Sequence, residues 1–360
     1  MDVASFLRQS SVLVVAGKGG VGKTTVTAAL ARAAADAGLS VLIVDLEGKS
    51  GVPAAFGIEG VLDYEEVVLV GAGGAPVGTP EPAGHDGTGP DGTGGRPAGA
   101  GAPIPPGSVR ARRITPDDAL LEYLADHGMR RISKRLVSSG ALDVVSTAIP
   151  GIRDILVLGK VKQIERAQVA DLVLVDAPAT GHAMTFLSSA RGLLDAARSG
   201  PVRTQAADVV ELLSDPARCQ VVLVTLPEEM PVNEVVEAAY QLEDRIGVAL
   251  GPVVVNACLP AHPELQADPR AAAAEAGTAL SDGQARTLAA AARFSMHRQA
   301  FQQEQLDRLA QELPLPQLRL PDLLCTSIGP GELEVLAGAL RDGIEHLPAA
   351  SGVPSGPGTR

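Results

Sequence analysis

Four glycines, two lysines and two threonines fall within ten residues, Ala16 to Thr25 (AGKGGVGKTT). Gly17, Gly19, Gly20 and Gly22 carry no Cβ, so the backbone can turn its N–H groups inward and come close to phosphate oxygens. A phosphate held there lies on the positive end of the helix that follows. From Gly17 to Thr24 the spacing is G-x-x-x-x-G-K-T, which assigns Lys23 to the β- and γ-phosphates of ATP and the Thr24 hydroxyl to Mg²⁺, with Val21 and Thr25 completing the loop. Asp45 and Glu47 close one apolar run and Asp176 closes another. Carboxylates at the C-terminal ends of parallel strands beside such a loop are placed to act on metal or water, and Asp176 is expected to reach Mg²⁺ through a water. Asn256 ends a further run, where a side-chain amide can pair with adenine.

These residues need strands and helices to hold them. Ser11 to Val15 reads as a buried strand and Val26 to Ala37 as an alanine-rich helix with Gly38 as its C-cap. Val41–Val44, Asp171–Asp176, Val221–Thr225, Gly251–Asn256 and Leu318–Pro321 read as further core strands. Thr115-Pro116-Asp117-Asp118 opens a helix over Ala119–His127, as cap, N1 proline and two first-turn acids. A basic-faced helix with Arg130, Arg131, Lys134 and Arg135 follows, then Ile152–Arg166. Later helices carry Asn233 to Val235, run through Ala271–Ala310 (clearest from Gln284), and close the chain over Glu332–Leu347. The expected fold is α/β, a doubly wound, mostly parallel sheet in one domain over residues 1–348, with a helical subdomain over about 119–166 and 183–213. Gly71 to Ser108 is mostly Gly and Pro and cannot bury enough apolar surface to order itself, so it reads as a disordered insertion without chemistry, His85 included, between short strands at Glu66–Val70 and Val109–Arg113. The tail 349–360 is expected to fray.

Lys18 is the unusual residue, a second lysine directly after the first glycine. The string G-K-G-G-x-G-K-T resembles the deviant Walker A loop of SIMIBI-class ATPases. Asp176, Thr180, Gly181 and His182 stand at the spacing of the switch II signature of the ArsA-like family, the arsenite-pump and tail-anchored-protein-targeting ATPases. The resemblance implies Mg-ATP hydrolysis by a homodimer, or a heterodimer with a related chain. It implies that Lys18 crosses to the partner's nucleotide, and that Thr180 to His182 sense the γ-phosphate and move the helices after them. Asn256 would read adenine. Glu47 falls where the family places the water-orienting aspartate, a departure that leaves Asp45 as the other candidate. The cargo would be a client protein or a hydrophobic or anionic ligand, with a membrane-transport partner a further possibility. The competing reading is an ATP-binding subunit of a heteromeric complex that does not hydrolyse ATP.

Composition narrows these choices. A net charge of -12 and a pI near 5.0 disfavour a nucleic-acid partner, and with it partition-type positioning on DNA. Cys219, Cys258 and Cys325 lie far apart without C-x-x-C, which gives metalloid capture little support and reads as a reducing cytoplasm with no zinc site. Five methionines do not suggest a Met-rich groove. No signal peptide is expected at the N-terminus, and no run approaches the ~18 apolar residues that span a bilayer.

Overall fold

The valine- and leucine-rich runs pair edge to edge, as buried parallel strands must, in a computed structural model that describes residues 2–48, 51–74, 103–126 and 151–347. In chain order the elements are α1 (Val3–Leu7), β1 (Val12–Gly17), α2 (Lys23–Asp36), β2 (Val41–Asp45), α3 (Gly51–Ala55), β3 (Val67–Val70), β4 (Val109–Arg113), α4 (Pro116–Asp126), α5 (Ile152–Arg166), β5 (Leu172–Ala179) and α6 (Thr180–Ala196). They continue with α7 (Pro201–Ser214), β6 (Cys219–Thr225), α8 (Glu229–Gln241), β7 (Ala249–Leu250), β8 (Val253–Cys258), α9 (Pro269–Glu275), α10 (Asp282–Glu312), β9 (Gln317–Pro321) and α11 (Pro330–Glu345).

The strands form one sheet in the order β3-β4-β2-β5-β1-β6-β8-β9, with β7 beside β6. Only the edge pair β3–β4 is antiparallel among the described pairings. Strand direction therefore brings the C-terminal ends of β1, β2, β5, β6 and β8 to one edge, and the winding reverses at β1, where ligands of open α/β sheets collect. Register sets the detail: Val15 lies opposite Asp176, and Asp176 opposite Asp45.

Each strand feeds two cores. Val12, Val14, Leu42, Val44, Val173 and Val175 face one layer, under α5, α6, α7 and the C-terminal turns of α10. Leu13, Val15, Val41, Ile43, Leu172 and Leu174 face the other, under α2 and α11. Alanines fill the buried side of α2, so the helix carrying Lys23 and Thr24 lies close on the sheet.

The expected strands and helices are present with shifted ends. Three short elements, α1, α3 and β7, carry too few residues for a periodicity to show. β5 is longer than the reading Asp171–Asp176: it runs through Pro178 to Ala179 and passes into α6 without a loop. Most of the Gly/Pro insertion with His85, the basic residues Arg130, Arg131, Lys134 and Arg135, and the tail lie outside the described residues. Among the described residues no helix is long and apolar enough to cross a membrane.

Candidate functional site

β1 ends at Gly17, where a Cβ would come within 2.3 Å of the Val224 carbonyl oxygen on β6. Strand packing therefore demands glycine there before any ligand does. The loop then turns through Gly20 (φ 89°) and Gly22 (φ 91°), conformations that L side chains avoid, and Gly22 is the N-cap of α2. Gly19 is under no such demand, since a Cβ would only touch Ala179 at 3.7 Å. Val21 is buried and anchors the loop, and Thr25 is half-buried in the first turn of α2.

Asn256 reaches this loop from β8. Its Nδ2 donates to the Val21 carbonyl at 3.0 Å, and the same nitrogen occupies the space a Gly22 side chain would need. The β8–β9 register breaks between Val255 and Cys258, and Ala257 sits at φ 55°, so an irregularity of the strand re-aims the amide toward the loop. One amide N–H and the carbonyl oxygen remain for a base. The sequence reading made Asn256 a base reader; the structure shows it also as a strut of the phosphate loop.

Lys23 is buried and folds back over the loop, its Nζ donating to the Lys18 carbonyl at 3.3 Å. Thr24 Oγ1 donates to Asp176 Oδ2 at 2.7 Å, and Thr27 Oγ1 lies 3.4 Å from Asp176 Oδ1. Burial pushes the Asp176 carboxyl up to about 6; the Thr24 hydroxyl and the Lys23 ammonium oppose this, and the charges of Asp45 and Glu47 add to it. The Asp45 carboxyl is raised as well, first by burial and in small part by Glu47, against the N–H groups of Gly48 and Glu47 and the Arg113 guanidinium.

Asp45 and Glu47 entered the sequence reading as alternatives, and the structure gives them different work. Asp45 Oδ1 accepts from Glu47 N at 2.8 Å and Gly48 N at 2.9 Å, so it builds the turn that carries Glu47. Asp45 Oδ2 is buried without a hydrogen-bond partner. An orphaned carboxylate oxygen beside a second buried carboxylate and a threonine hydroxyl is a hard, all-oxygen donor set, and it fits Mg²⁺. No cluster of three or more Asp, Glu, His or Cys forms a cage among the described residues.

Lys18, expected to cross to a partner, is held within its own chain: its Nζ lies 2.6 Å from Glu234 Oε1 on α8. The sequence reading placed Glu234 on a helix and gave it no partner. Thr180, Gly181 and His182 form the first turn of α6. The residue before them, Ala179, pairs with Gly17 in the sheet and borders Gly19, so this turn starts at the phosphate loop. His182 is exposed, and its positive form would act on Asp154 of α5, whose carboxyl is raised by burial and lowered by His182 and then Arg153. Sequence reasoning missed Arg113. Its guanidinium packs against Gly48, where an added Cβ would lie 2.3 Å from Nε, and steadies the Asp45 turn from β4. No motif marks it; only the pairing of Asp45 with Arg113 reveals it.

Residues 12–289 match the CobQ/CobB/MinD/ParA nucleotide binding domain. A Mycobacterium tuberculosis (strain H37Rv) protein named ATPase BagA is 34% identical over 276 residues, covering 73% of this chain and 69% of that protein. A putative ATPase of Mycobacterium bovis matches with the same identity and coverage. A putative arsenical pump-driving ATPase of Halobacterium salinarum is 26% identical over 276 residues, 71% of this chain and 36% of that protein.

Proposed function

The chain belongs to the CobQ/CobB/MinD/ParA nucleotide-binding family and is an ATPase, and we propose that it hydrolyses Mg-ATP as a dimer whose nucleotide state governs the binding of a client. The observation that carries this reading is the contact of Thr24 with the buried Asp176, next to the unpartnered Asp45 oxygen and under Lys23. The loop N–H groups and Lys23 stabilise negative charge on the transferring phosphoryl group. Thr24 and Asp176 would hold Mg²⁺, which when bound neutralises charge on the phosphates. Asp45 fixes the turn and Glu47 orients the attacking water. Lys18, released from Glu234, would reach the nucleotide of the second subunit, a role taken from the resemblance to the ArsA-like family. Because α6 starts where β5 ends, a change at Asp176 moves a whole helix, which supports a nucleotide-dependent client site.

The test is Mg²⁺-dependent ATP turnover against protein concentration. Turnover per chain is expected to rise with concentration, to vanish in Lys23→Ala, and to fall on the order of 10³ or more in Lys18→Ala if that lysine acts as an arginine finger does. Equal activity in Lys18→Ala would remove the role in trans. Arsenite stimulation of turnover would replace the protein client with a metalloid. A second reading, a nucleotide-gated subunit without turnover, draws on the capture of Lys18 by Glu234 and on the glutamate at position 47. Tight ATP binding with no turnover at any concentration would establish it.

A further inference from the structure

Two lysines of α5 lie inside the helical layer, Lys160 at 8% and Lys162 at 7% exposure, although lysine is rarely buried. Each is held by a carboxylate of a neighbouring helix, Lys160 by Glu122 of α4 and Lys162 by Asp208 of α7. Lys160 also donates to Gln163 Oε1 at 3.0 Å. An ammonium has three hydrogens. Two are taken on Lys160 and one on Lys162, so both keep donors to spare among the described residues.

Both lysines border a cleft of about 230 Å³ between α4, α5 and α7, with the exposed Arg166 at its rim. A glycine inside a helix is unfavourable without a packing reason, and Gly159 has one: a Cβ there would lie 1.9 Å from Gln205 Nε2 of α7. The missing side chain seats that amide in the cleft. Neither the Gln205 amide nor the Arg166 guanidinium is spent on a hydrogen bond among the described residues. The wall thus carries three bases and one acid, Glu122, and Glu122 is already engaged. Spare donors on both sides of a free amide call for acceptor oxygens at two ends of one small molecule.

Glu122 also joins the cleft to the nucleotide edge. Its Oε1 accepts from Lys160 and its Oε2 from the Tyr64 hydroxyl. Arg112 of β4 lies over the Tyr64 ring, its Cζ 4.3 Å from the centroid. The next residue, Arg113, donates its backbone N–H to the Asp63 carbonyl at 2.8 Å and packs its guanidinium on Gly48, in the turn that Asp45 builds. Asp63 and Tyr64 therefore fasten the cleft and that turn to the same strand.

We propose that this cleft is an effector site for a small dicarboxylate. One carboxylate goes to Lys160 and the other to Lys162 and Arg166, one turn apart on α5, with the Gln205 amide between them. A carboxylate at Lys160 shares that ammonium with Glu122, which then leans on the Tyr64 hydroxyl and steadies the ring under Arg112. The ligand thereby favours the ordered Asp45 turn, and nucleotide held by that turn favours the ligand in return. The coupling, though not the binding, rests on the reading above that this turn serves the nucleotide.

Calorimetric titration of the full chain with succinate tests both halves, first without nucleotide and then with Mg²⁺ and a non-hydrolysable ATP analogue. One succinate per chain is expected, with Arg166→Ala and Gln205→Leu each weakening it about tenfold. The analogue is expected to tighten succinate about fivefold. Tyr64→Phe should keep the binding and abolish the tightening, which a merely structural tyrosine would not do. No saturable succinate binding, or binding indifferent to Arg166→Ala and Gln205→Leu, would overturn the site. Inorganic phosphate binding more tightly than succinate would overturn the dicarboxylate. Equal succinate affinity with and without the analogue would overturn the effector role. A chain that shows the coupling yet never turns over ATP would keep the effector site and remove the hydrolytic reading.

Discussion

Asp176 is buried beside Asp45, and burial pushes its carboxyl up to about 6 from the usual 3.8. A carboxyl raised in the folded state binds protons more tightly there than in the unfolded chain. Its contribution is thus fully favourable below pH ~4 and is lost as pH rises through 6. The loss amounts to about 3 kcal/mol at neutral pH, taking ~1.4 kcal/mol per pH unit. In chelator, Asp176→Asn should remove that decline, so urea midpoints at pH 8 should exceed wild type while those at pH 4 match it. An unchanged slope between pH 4 and 6 would mean that the charge is compensated elsewhere. Turnover should be lost in the same variant, separating stability from chemistry. The Lys18–Glu234 pair is part-exposed, and such pairs contribute up to about 1 kcal/mol. Glu234→Gln should therefore leave the melting temperature nearly unchanged. If Lys18 works in the second subunit, its release should raise turnover at low protein concentration about two- to fivefold, the Boltzmann equivalent of that energy. Lower turnover would assign the pair a supporting role within one chain.

Among the elements, the sequence exposed what composition controls. Strands buried on both faces must be apolar runs, so β1, β2, β5, β6 and β8 were readable, and with them the place of Asp176 near the C-terminal end of β5 and of Lys23 and Thr24 at the start of the helix after β1. Contacts made only by folding were not readable. Glu234 is 216 residues from Lys18, and Arg113 meets Asp45 only because β4 lies beside β2. The reading ended this strand at Asp176, whereas the structure carries it through Pro178 to Ala179 and starts α6 directly. The helical character of α10 was plain from its Ala, Arg and Gln, but those residues favour a helix in solvent as much as against a core. Gly22 joins the two kinds of information: its presence was legible and its contact with Asn256 was not. Gly22→Ala should destabilise through two causes. The left-handed φ costs about 1–2 kcal/mol for a side chain, and the rest is collision with the Asn256 amide. Asn256→Ala removes only the second. A double-mutant cycle by denaturant unfolding should therefore show Gly22→Ala milder in the Asn256→Ala background, yet still harmful; full additivity would mean that the amide moves aside freely.

On the scale of the whole molecule, the nucleotide loop and the helical layer share one strand. β5 carries Asp176, passes Ala179 beside Gly17 and Gly19, and becomes α6, which packs on α5 and α7. Its first turn bears His182, across from Asp154 of α5. A ligand that changes the contact between Thr24 and Asp176 thus acts on the root of a helix and not on a slack loop, and displacement has little room to dissipate in a close-packed layer. Mg-ATP at a hundredfold excess over its dissociation constant should raise stability by about 2.7 kcal/mol, and hydrogen exchange locates where that protection goes. Protection is expected in the first turns of α2, in the opening turns of α6 and on into α5, and it should disappear in Lys23→Ala. If exchange slows only over residues 17–24 while α5 and α6 are untouched, the strand-to-helix junction transmits nothing. Nucleotide-dependent client binding would then lose its structural basis, because the helices that follow the switch would not know which nucleotide is bound.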